Sequence, residues 1–417
     1  MTLAQKKHHA RGNRMKQAIR VAEAQAIVLG CVTPVGVETV PLLQALHRVI
    51  AEDVCSPRHI PLHDNSAMDG YAVRHRDVET ASAERPVALR VIEILPAGKA
   101  PQCQVEPGTA IKIMTGAPMP VGADTVVQVE HTNGSDTTVE IYRTPRPGSN
   151  LRHQGEDIRQ GEGVIAHDTY LRPAELGVLA SVGKAQALVY QRPRVAILAT
   201  GDEIADLGEP DPSGKIINSN SYTLAGQITE AGGLPLLLGV APDDRDEISR
   251  RLASGLRADV LITSGGVSVG DFDYVRECLD QAGFCGRFWT VALRPGSPVT
   301  FGMVGQVPVF SLPGNPVASM VTFELFVRPA LLKMNGYTGL FRPRTDAILQ
   351  DAIRKRHGVR TFLRGILRHQ NGQKVVTTTG PQGSGILRSM NLANCLIDIP
   401  EEVERLQPGD TVQVLQL

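Results

Sequence analysis

The 417-residue sequence has no net charge, with 43 Lys plus Arg against 43 Asp plus Glu. That balance excludes a chain-wide electrostatic attraction to nucleic acid or to an anionic membrane, so any electrostatic function must be local. There is also no apolar run of the roughly 18 residues a membrane span needs, and the start lacks the apolar stretch of a secretory signal. The expectation is a soluble, cytoplasmic protein that binds neither nucleic acid nor membrane. The cysteines Cys31, Cys55, Cys103, Cys278, Cys285 and Cys395 include no C-x-x-C pair. This argues against a zinc site and a disulfide framework and predicts reduced core thiols. Neither the Walker pattern nor the dinucleotide fingerprint occurs, and no internal repeat or low-complexity block is evident.

What is present points to several domains, since the chain is too long for one ordinary core. The first twenty residues carry Lys6, Lys7, Arg11, Arg14, Lys16 and Arg20 and no acid, which suits a basic arm, a transit peptide or a frayed terminus. Apolar spacing predicts a helix over 17–29 and a second over 40–54. From 56 to 161 short alternating segments broken by Pro and Gly predict a mainly β insertion, and 171–190 turns helical again. After Pro193 the runs "RVAILAT", "LPLLLGVA", "ADVLITS" and "VPVFSLP" alternate with helical patterns such as Ile248, Leu252 and Leu256. That rhythm implies a mostly parallel sheet covered on both faces. The end reverts to short strands with turns at "HQNGQK" and "QPGD", predicting a compact barrel or sandwich. The expected class is therefore α/β multidomain. Its parts are a basic tail (1–20), a small helical linking domain (21–57 with 162–192), an inserted mainly-β domain (58–161), a parallel-sheet α/β nucleotide-binding domain (193–337) and a C-terminal β-barrel (338–417).

In a wound sheet, ligands sit outside the carboxyl ends of the strands, so residues just after each run share one rim. The first run leads into Thr200, Gly201, Asp202 and Glu203 and the second into Pro242, Asp243 and Asp244. The third gives Ser264, Gly265, Gly266, Val267 and Ser268, then Asp271 and Asp273; the fourth gives Pro313, Gly314, Asn315 and Pro316. Glycines let backbone N–H groups approach an anion closely, and a following helix presents its positive end. Carboxylates beside that phosphate need a divalent cation between them, which points to Mg²⁺. Each feature alone has an ordinary reading: an aspartate can cap the next helix, and paired glycines can make a tight turn. Four such ends on one rim favour a phosphate-bearing ligand. In the inserted region, "HDNSAMDGYAV" groups Asp64, Asn65, Ser66 and Asp69, and "NLRHQGEDI" groups Arg152, His153, Glu156 and Asp157; taken singly these read as solvated turns.

From residue 20 to the end the chain resembles the molybdopterin molybdotransferase family, related to the E domain of gephyrin. The likeness rests on "DNSAMDGYAV", "IMTGAPMPVGADTVV", "GEDI", "ATGDEI", "NSNSYTL", "TSGGVSVGDFDYV", "RPGSPVTFG" and "SLPGNPVAS", in that order. It implies an elongated homodimer whose cleft lies between the α/β domain of one chain and the "DNSAMDGYAV" domain of its partner. It also implies adenylylated molybdopterin and molybdate as substrates, AMP as product and Mg²⁺ as metal. Carried over by motif, the functional positions are Asp69, Thr115, Asp157, Glu203, Asp243 and Asp273, with Glu203, Asp243 and Asp273 as metal ligands. Thr200, Gly201, Asp202, Asn220, Ser264 to Ser268 and Pro313 to Asn315 would line the pterin nucleotide pocket. Arg294, Arg364 and Ser384 are the candidates for the oxyanion, with surface arginines and a barrel turn as their plain reading. The family's lysines around "TVALRPGSP" are replaced here by Thr290, Arg294 and Ser297, which leaves a divergent paralogue open. The rival readings are a molybdopterin adenylyltransferase, which resembles the α/β domain alone, and a non-catalytic scaffold. A molybdopterin adenylyltransferase and factors of molybdoenzyme maturation are the expected protein partners.

Overall fold

The computed structural model describes residues 18–209, 214–265 and 274–417 and contains two compact units. One comprises Val40–Leu46 and Glu52–Ala187; the other comprises Met1–Thr39, His47–Ala51 and Leu188–Leu417. The first helix, α1, covers Val21–Cys31 and buries Val21, Ala24 and Val28 at helical spacing. The helix expected over 40–54 does not form. Val37–Pro41 is a short strand and Leu42–Ala45 a single 3₁₀ turn. Pro41 brings no N–H, and the backbone of Leu46, at φ −56° and ψ 134°, leaves helical geometry after that one turn.

The smaller unit is built on a six-stranded sheet: β1 (Gly70–Val73), β2 (Val87–Leu95), β3 (Thr109–Ile113), β4 (Thr125–Gln128), β5 (Thr132–Gly134) and β6 (Thr138–Ile141), in the order β4-β1-β3-β2-β6-β5. Both faces are covered, because alternate residues diverge. Tyr71 and Val73 join one buried cluster, while Ala72 joins another with Ile111 and Ile113. Strands β1 and β3 run antiparallel with Gly70 opposite Ile113. This register brings the residue before β1, Asp69, and the loop after β3, with Thr115, to the same end of the sheet. A helix, α2 (Pro173–Ser181), follows.

The larger unit carries β7 (Arg194–Thr200), β8 (Leu234–Ala241), β9 (Val260–Ser264), β10 (Phe284–Phe288), β11 (Leu293–Arg294), β12 (Thr300–Val304) and β13 (Val307–Leu312). Six of these form a sheet in the order β8-β7-β9-β13-β12-β10. The first four are parallel, as the alternating pattern requires, and β12 and β10 add an antiparallel edge. Val195 and Ile197 enter one core and Ala196 and Leu198 the other, so helices cover both faces of β7. The full coverage expected of β8 is corrected: it is an edge strand, and Leu234, Leu236 and Leu237 are more than two-fifths exposed. Helices α3 (Ser219–Glu230), α4 (Arg245–Gly255), α5 (Tyr274–Gln281), α6 (Pro316–Thr322) and α7 (Arg328–Met334) complete this layer, with a π-helical turn at Phe323–Val327 joining α6 to α7.

The C-terminal strands β14 (Arg344–Leu349), β15 (Ile353–Arg354), β16 (Arg360–Gln370), β17 (Gln373–Thr378), β18 (Cys395–Ile399), β19 (Arg405–Leu406) and β20 (Thr411–Gln416) follow. Five of them close into a barrel in the order β16-β17-β14-β20-β18 and back to β16. Closure removes the exposed edges that a small sheet would otherwise leave. The short β11 pairs in parallel with the start of β16, setting Arg294 opposite Thr361. All six cysteines are free. Only Cys278 and Cys395 are buried, while Cys55, Cys103 and Cys285 are exposed, so the expectation of core thiols holds for a minority. Among the described residues, no helix is long and apolar enough to cross a membrane.

Candidate active site

The rim of the α/β sheet gathers most of the positions marked in the sequence. Asn220, on the first turn of α3, donates its amide to Ser264 Oγ at 2.9 Å and to the Gly314 carbonyl at 2.8 Å. Both amide protons are thus engaged in tying the end of β9 to the loop after β13. Gly265 has φ +95°, and a Cβ there would lie 2.9 Å from the Thr200 carbonyl, so only glycine lets these two strand ends approach so closely. Pro313 is buried, while Gly314 and Asn315 are exposed ahead of α6. Gly266, Val267, Ser268, Asp271 and Asp273 lie outside the described residues.

The acids separate into distinct jobs. Asp244 caps α4, accepting from the Glu247 N–H. Asp202 Oδ1 accepts from the Asp243 N–H at 3.1 Å. Glu203 folds back over Gly201, whose φ is +137°; a Cβ at that glycine would lie 2.6 Å from Glu203 Oε2. Partial burial, and then the Asp202 and Glu203 carboxylates, push the Asp243 carboxyl above its ordinary range, against a backbone hydrogen bond at Asp202 that lowers it. The clustered carboxylate oxygens of Asp202, Glu203 and Asp243 are hard donors of the kind that suits Mg²⁺, an ion commonly held by one or two carboxylates plus substrate phosphate. Among the described residues no group of three or more His, Cys, Asp or Glu could hold a metal by itself.

Beside this rim lies a cavity of about 740 Å³ whose wall includes Pro313 and Asn315 and also Arg294, Arg364 and Ser384. The three oxyanion candidates are therefore brought together. Five cationic residues line the cavity, Arg294, Arg354, Lys355, Arg356 and Arg364, and among the described residues no acidic one does. Arg364 is fully buried. Its Nε donates to Ser389 Oγ at 3.0 Å and one terminal nitrogen donates to the Gly383 carbonyl at 3.1 Å. It pairs with no carboxylate among the described residues, and burial pushes its pKa down to about 10. It remains a cation at neutral pH in a place where a cation is costly. Gln382 clamps the 379–384 loop to β16, accepting from the Arg364 N–H at 2.9 Å and donating to the Arg364 carbonyl at 3.2 Å. The Ser384 carbonyl accepts from the Val317 N–H in α6.

In the smaller unit, Asp69 Oδ1 accepts from both the N–H and the hydroxyl of Thr115, each at 2.7 Å. These bonds, the backbone one first, hold the Asp69 carboxyl below its ordinary range. Asp157 occupies a different loop, its N–H donating to the Ile60 carbonyl at 3.1 Å and its side chain lining a shallow cleft with Glu156 and Arg159. Asp64 accepts from the Gln154 N–H at 2.7 Å.

Residues 19–183 match the MoeA N-terminal region (domain I and II), 196–333 a probable molybdopterin binding domain and 346–417 the MoeA C-terminal region (domain IV). The chain belongs to the MoeA family. It is 40% identical over 403 residues to molybdopterin molybdenumtransferase 2 of Mycobacterium tuberculosis, covering 95% of this chain and 99% of that one. It is 38% identical to the molybdopterin molybdenumtransferase of a Nostoc species, covering 91% of this chain and 88% of the relative. A crystal structure of the molybdopterin biosynthesis MoeA protein from Pyrococcus horikoshii superposes with a TM-score of 0.81 at 32% identity, over 96% of this chain and all of that one. This MoeA-family protein is accordingly a transferase of molybdenum cofactor biosynthesis.

Sequence reasoning missed three cavity residues of this MoeA chain, Arg354, Lys355 and Arg356. Their only signal is a run of three cations, which in a chain of balanced charge reads as a solvated turn. Of the substituted positions, Ser297 gives its hydroxyl to the Val291 carbonyl at 2.9 Å, and the Thr290 carbonyl accepts from the Ile19 N–H at 3.2 Å. Both serve the loop's backbone, while Arg294 is exposed and unpaired with any carboxylate among the described residues.

Proposed function

We propose that the protein inserts molybdenum into adenylylated molybdopterin, consuming molybdate and releasing AMP. The observation that carries this reading is the shared wall: Pro313 and Asn315 belong both to the strand-end rim and to a cavity rich in cations and, among the described residues, free of carboxylates. A nucleotide held on the rim would set its pterin sulfurs toward an oxyanion held by Arg294, Arg364 and Ser384. The two dithiolene thiols then displace one oxide ligand of molybdate, which leaves as water carrying both thiol protons, and a separate water cleaves the phosphoanhydride to free AMP. Fixed cations beside anionic reactants offset their mutual repulsion without reorganising during the reaction. Asp243, its basicity raised by burial and then by its carboxylate neighbours, is placed to orient the water that opens the anhydride. Mg²⁺, when bound, would neutralise the phosphate charge; Glu203 and Asp243 are its proposed ligands, with Asp273 as the third. We assign Asp69, Thr115 and Asp157 to the same reaction through a homodimer, in which the partner subunit supplies that loop cluster.

The test is a turnover assay with purified protein. Adenylylated molybdopterin, molybdate and Mg²⁺ should yield AMP and cofactor in equal amounts. Consumption of ATP with free molybdopterin would instead identify an adenylyltransferase, and turnover by neither route would identify a scaffold. Asp243→Ala should abolish AMP release.

A further inference from the structure

The cationic cavity has an exposed end that the oxyanion reading leaves unused. Arg354 ends β15 and Arg356 lies two residues on, and both line the cavity. Lys355, between them, turns away. Its ammonium donates to the carbonyls of Arg356, Val359 and Glu401 at 3.3, 2.8 and 3.0 Å, using all three protons. Burial lowers the Lys355 pKa, with Glu401, Glu402 and Glu404 pulling the other way. The acids of this neighbourhood therefore gather about Lys355, and Glu404 also meets His357 at 3.4 Å. None of them lines the cavity.

Arg354 and Arg356 are exposed and pair with no carboxylate among the described residues. Arg354 also stands directly opposite Arg405 across the β15–β19 ladder. Like charges in that relation destabilise a strand pair, and a carboxylate at either position would relieve them. Retained positive charge at the solvent end of a cavity whose inner end is the buried Arg364 forms an inward gradient. Fields of this kind raise the local concentration of an anion and speed its capture.

We propose that Arg354 and Arg356 form an outer station that captures a tetrahedral dianion from solution and delivers it to Arg364; this rests on the oxyanion reading of the cavity given above. Lys355 acts as a positioning residue, stapling the loop so that its two neighbours face the cavity. The ligand class is an oxyanion of charge −2, recognised at this station by charge.

The test is R354Q/R356Q in the full-length protein, with R364Q beside it. Molybdate binding is read by calorimetry at several salt concentrations, and steady-state turnover with each substrate varied. The outer double variant should raise the KM for molybdate about tenfold, flatten its salt dependence and change kcat at saturation less than about twofold. An unchanged KM for molybdate overturns the proposal, as does a fall in kcat alone. A rise confined to the KM for adenylylated molybdopterin also overturns it, because the arginines would then serve the substrate's phosphate. If R364Q binds molybdate as wild type does, the oxyanion reading itself fails, and the outer station fails with it. If R364Q loses binding while R354Q/R356Q does not, only the outer station is refuted. Matching urea midpoints establish that both variants fold.

Discussion

Arg364→Gln separates function from stability, because the hydrogen bonds of this side chain nearly offset the cost of burying its charge. Burial pushes its pKa down from the ordinary guanidinium range to about 10, which corresponds to about 3 kcal/mol against the charged form at roughly 1.4 kcal/mol per unit. The two hydrogen bonds to Ser389 and Gly383 return about 1.5 kcal/mol each. These terms nearly cancel, so the substitution should change the unfolding free energy by no more than about 1 kcal/mol, although most disruptions at a fully buried side chain cost more. Binding should respond differently. Unit charges about 4 Å apart at an effective dielectric of about 20 attract by about 4 kcal/mol. With some of that kept by glutamine and Arg294, molybdate affinity should fall about 100-fold. Calorimetry measures the affinity, and urea unfolding followed by the single tryptophan, Trp289, measures the stability. A variant that binds molybdate within about threefold of wild type, yet unfolds more easily by about 3 kcal/mol, would refute the reasoning by making Arg364 a structural residue.

Three other outcomes follow from the geometry. Because Asp243 has a raised pKa, protonation favours the folded state. The stability this group contributes is present below its ordinary carboxylate range and is lost as pH rises through the shifted pKa. Asp243→Asn should therefore raise the melting temperature at pH 7 without Mg²⁺ and abolish any increase caused by Mg²⁺; a wild-type response in both respects would contradict this. Thr115→Val keeps the backbone bond to Asp69 but removes the hydroxyl one. The Asp69 pKa should rise toward its ordinary value, and the acid limb of the pH–rate profile should move up with it; NMR titration reads the first and kinetics the second. Asn220→Ala cuts the tie between Ser264 and Gly314. AMP binding should weaken about tenfold, through lost preorganisation, with molybdate binding to the isolated protein unchanged.

The legible parts of the chain were those where local pattern and burial agree. The runs at Arg194–Thr200 and Leu234–Ala241 end at the residues expected, because apolar stretches stop there at Gly201 and Pro242. The segment 40–54 misled because Val40, Leu43, Leu46 and Ile50 imitate helical spacing, while Arg48 is drawn inward by Glu38 at 2.5 Å and by the Tyr190 carbonyl at 2.5 Å. Those partners lie 10 and 142 residues away in sequence, and spacing does not reveal them. The exposure of β8 was hidden for a related reason, since an apolar strand reads alike at the centre and at the edge of a sheet. At the site, the rim residues were readable because strand ends in a wound sheet converge by topology. Arg294, Arg364 and Ser384 were reached by resemblance alone. Arg354 and Arg356 were not reached at all, because a pair of exposed arginines gains meaning only beside a cavity that, among the described residues, no acid lines.

The central claim is that the strand-end rim and the cationic cavity are two halves of one reaction site, and a crystal soaked with AMP, Mg²⁺ and molybdate tests it most directly. Anomalous scattering should place molybdenum in the cavity within hydrogen-bonding reach of Arg364 through its oxygens, with AMP on the loops of Ser264 and Asn315. Molybdenum bound elsewhere while the cavity stays empty, or AMP bound away from those loops, would contradict it.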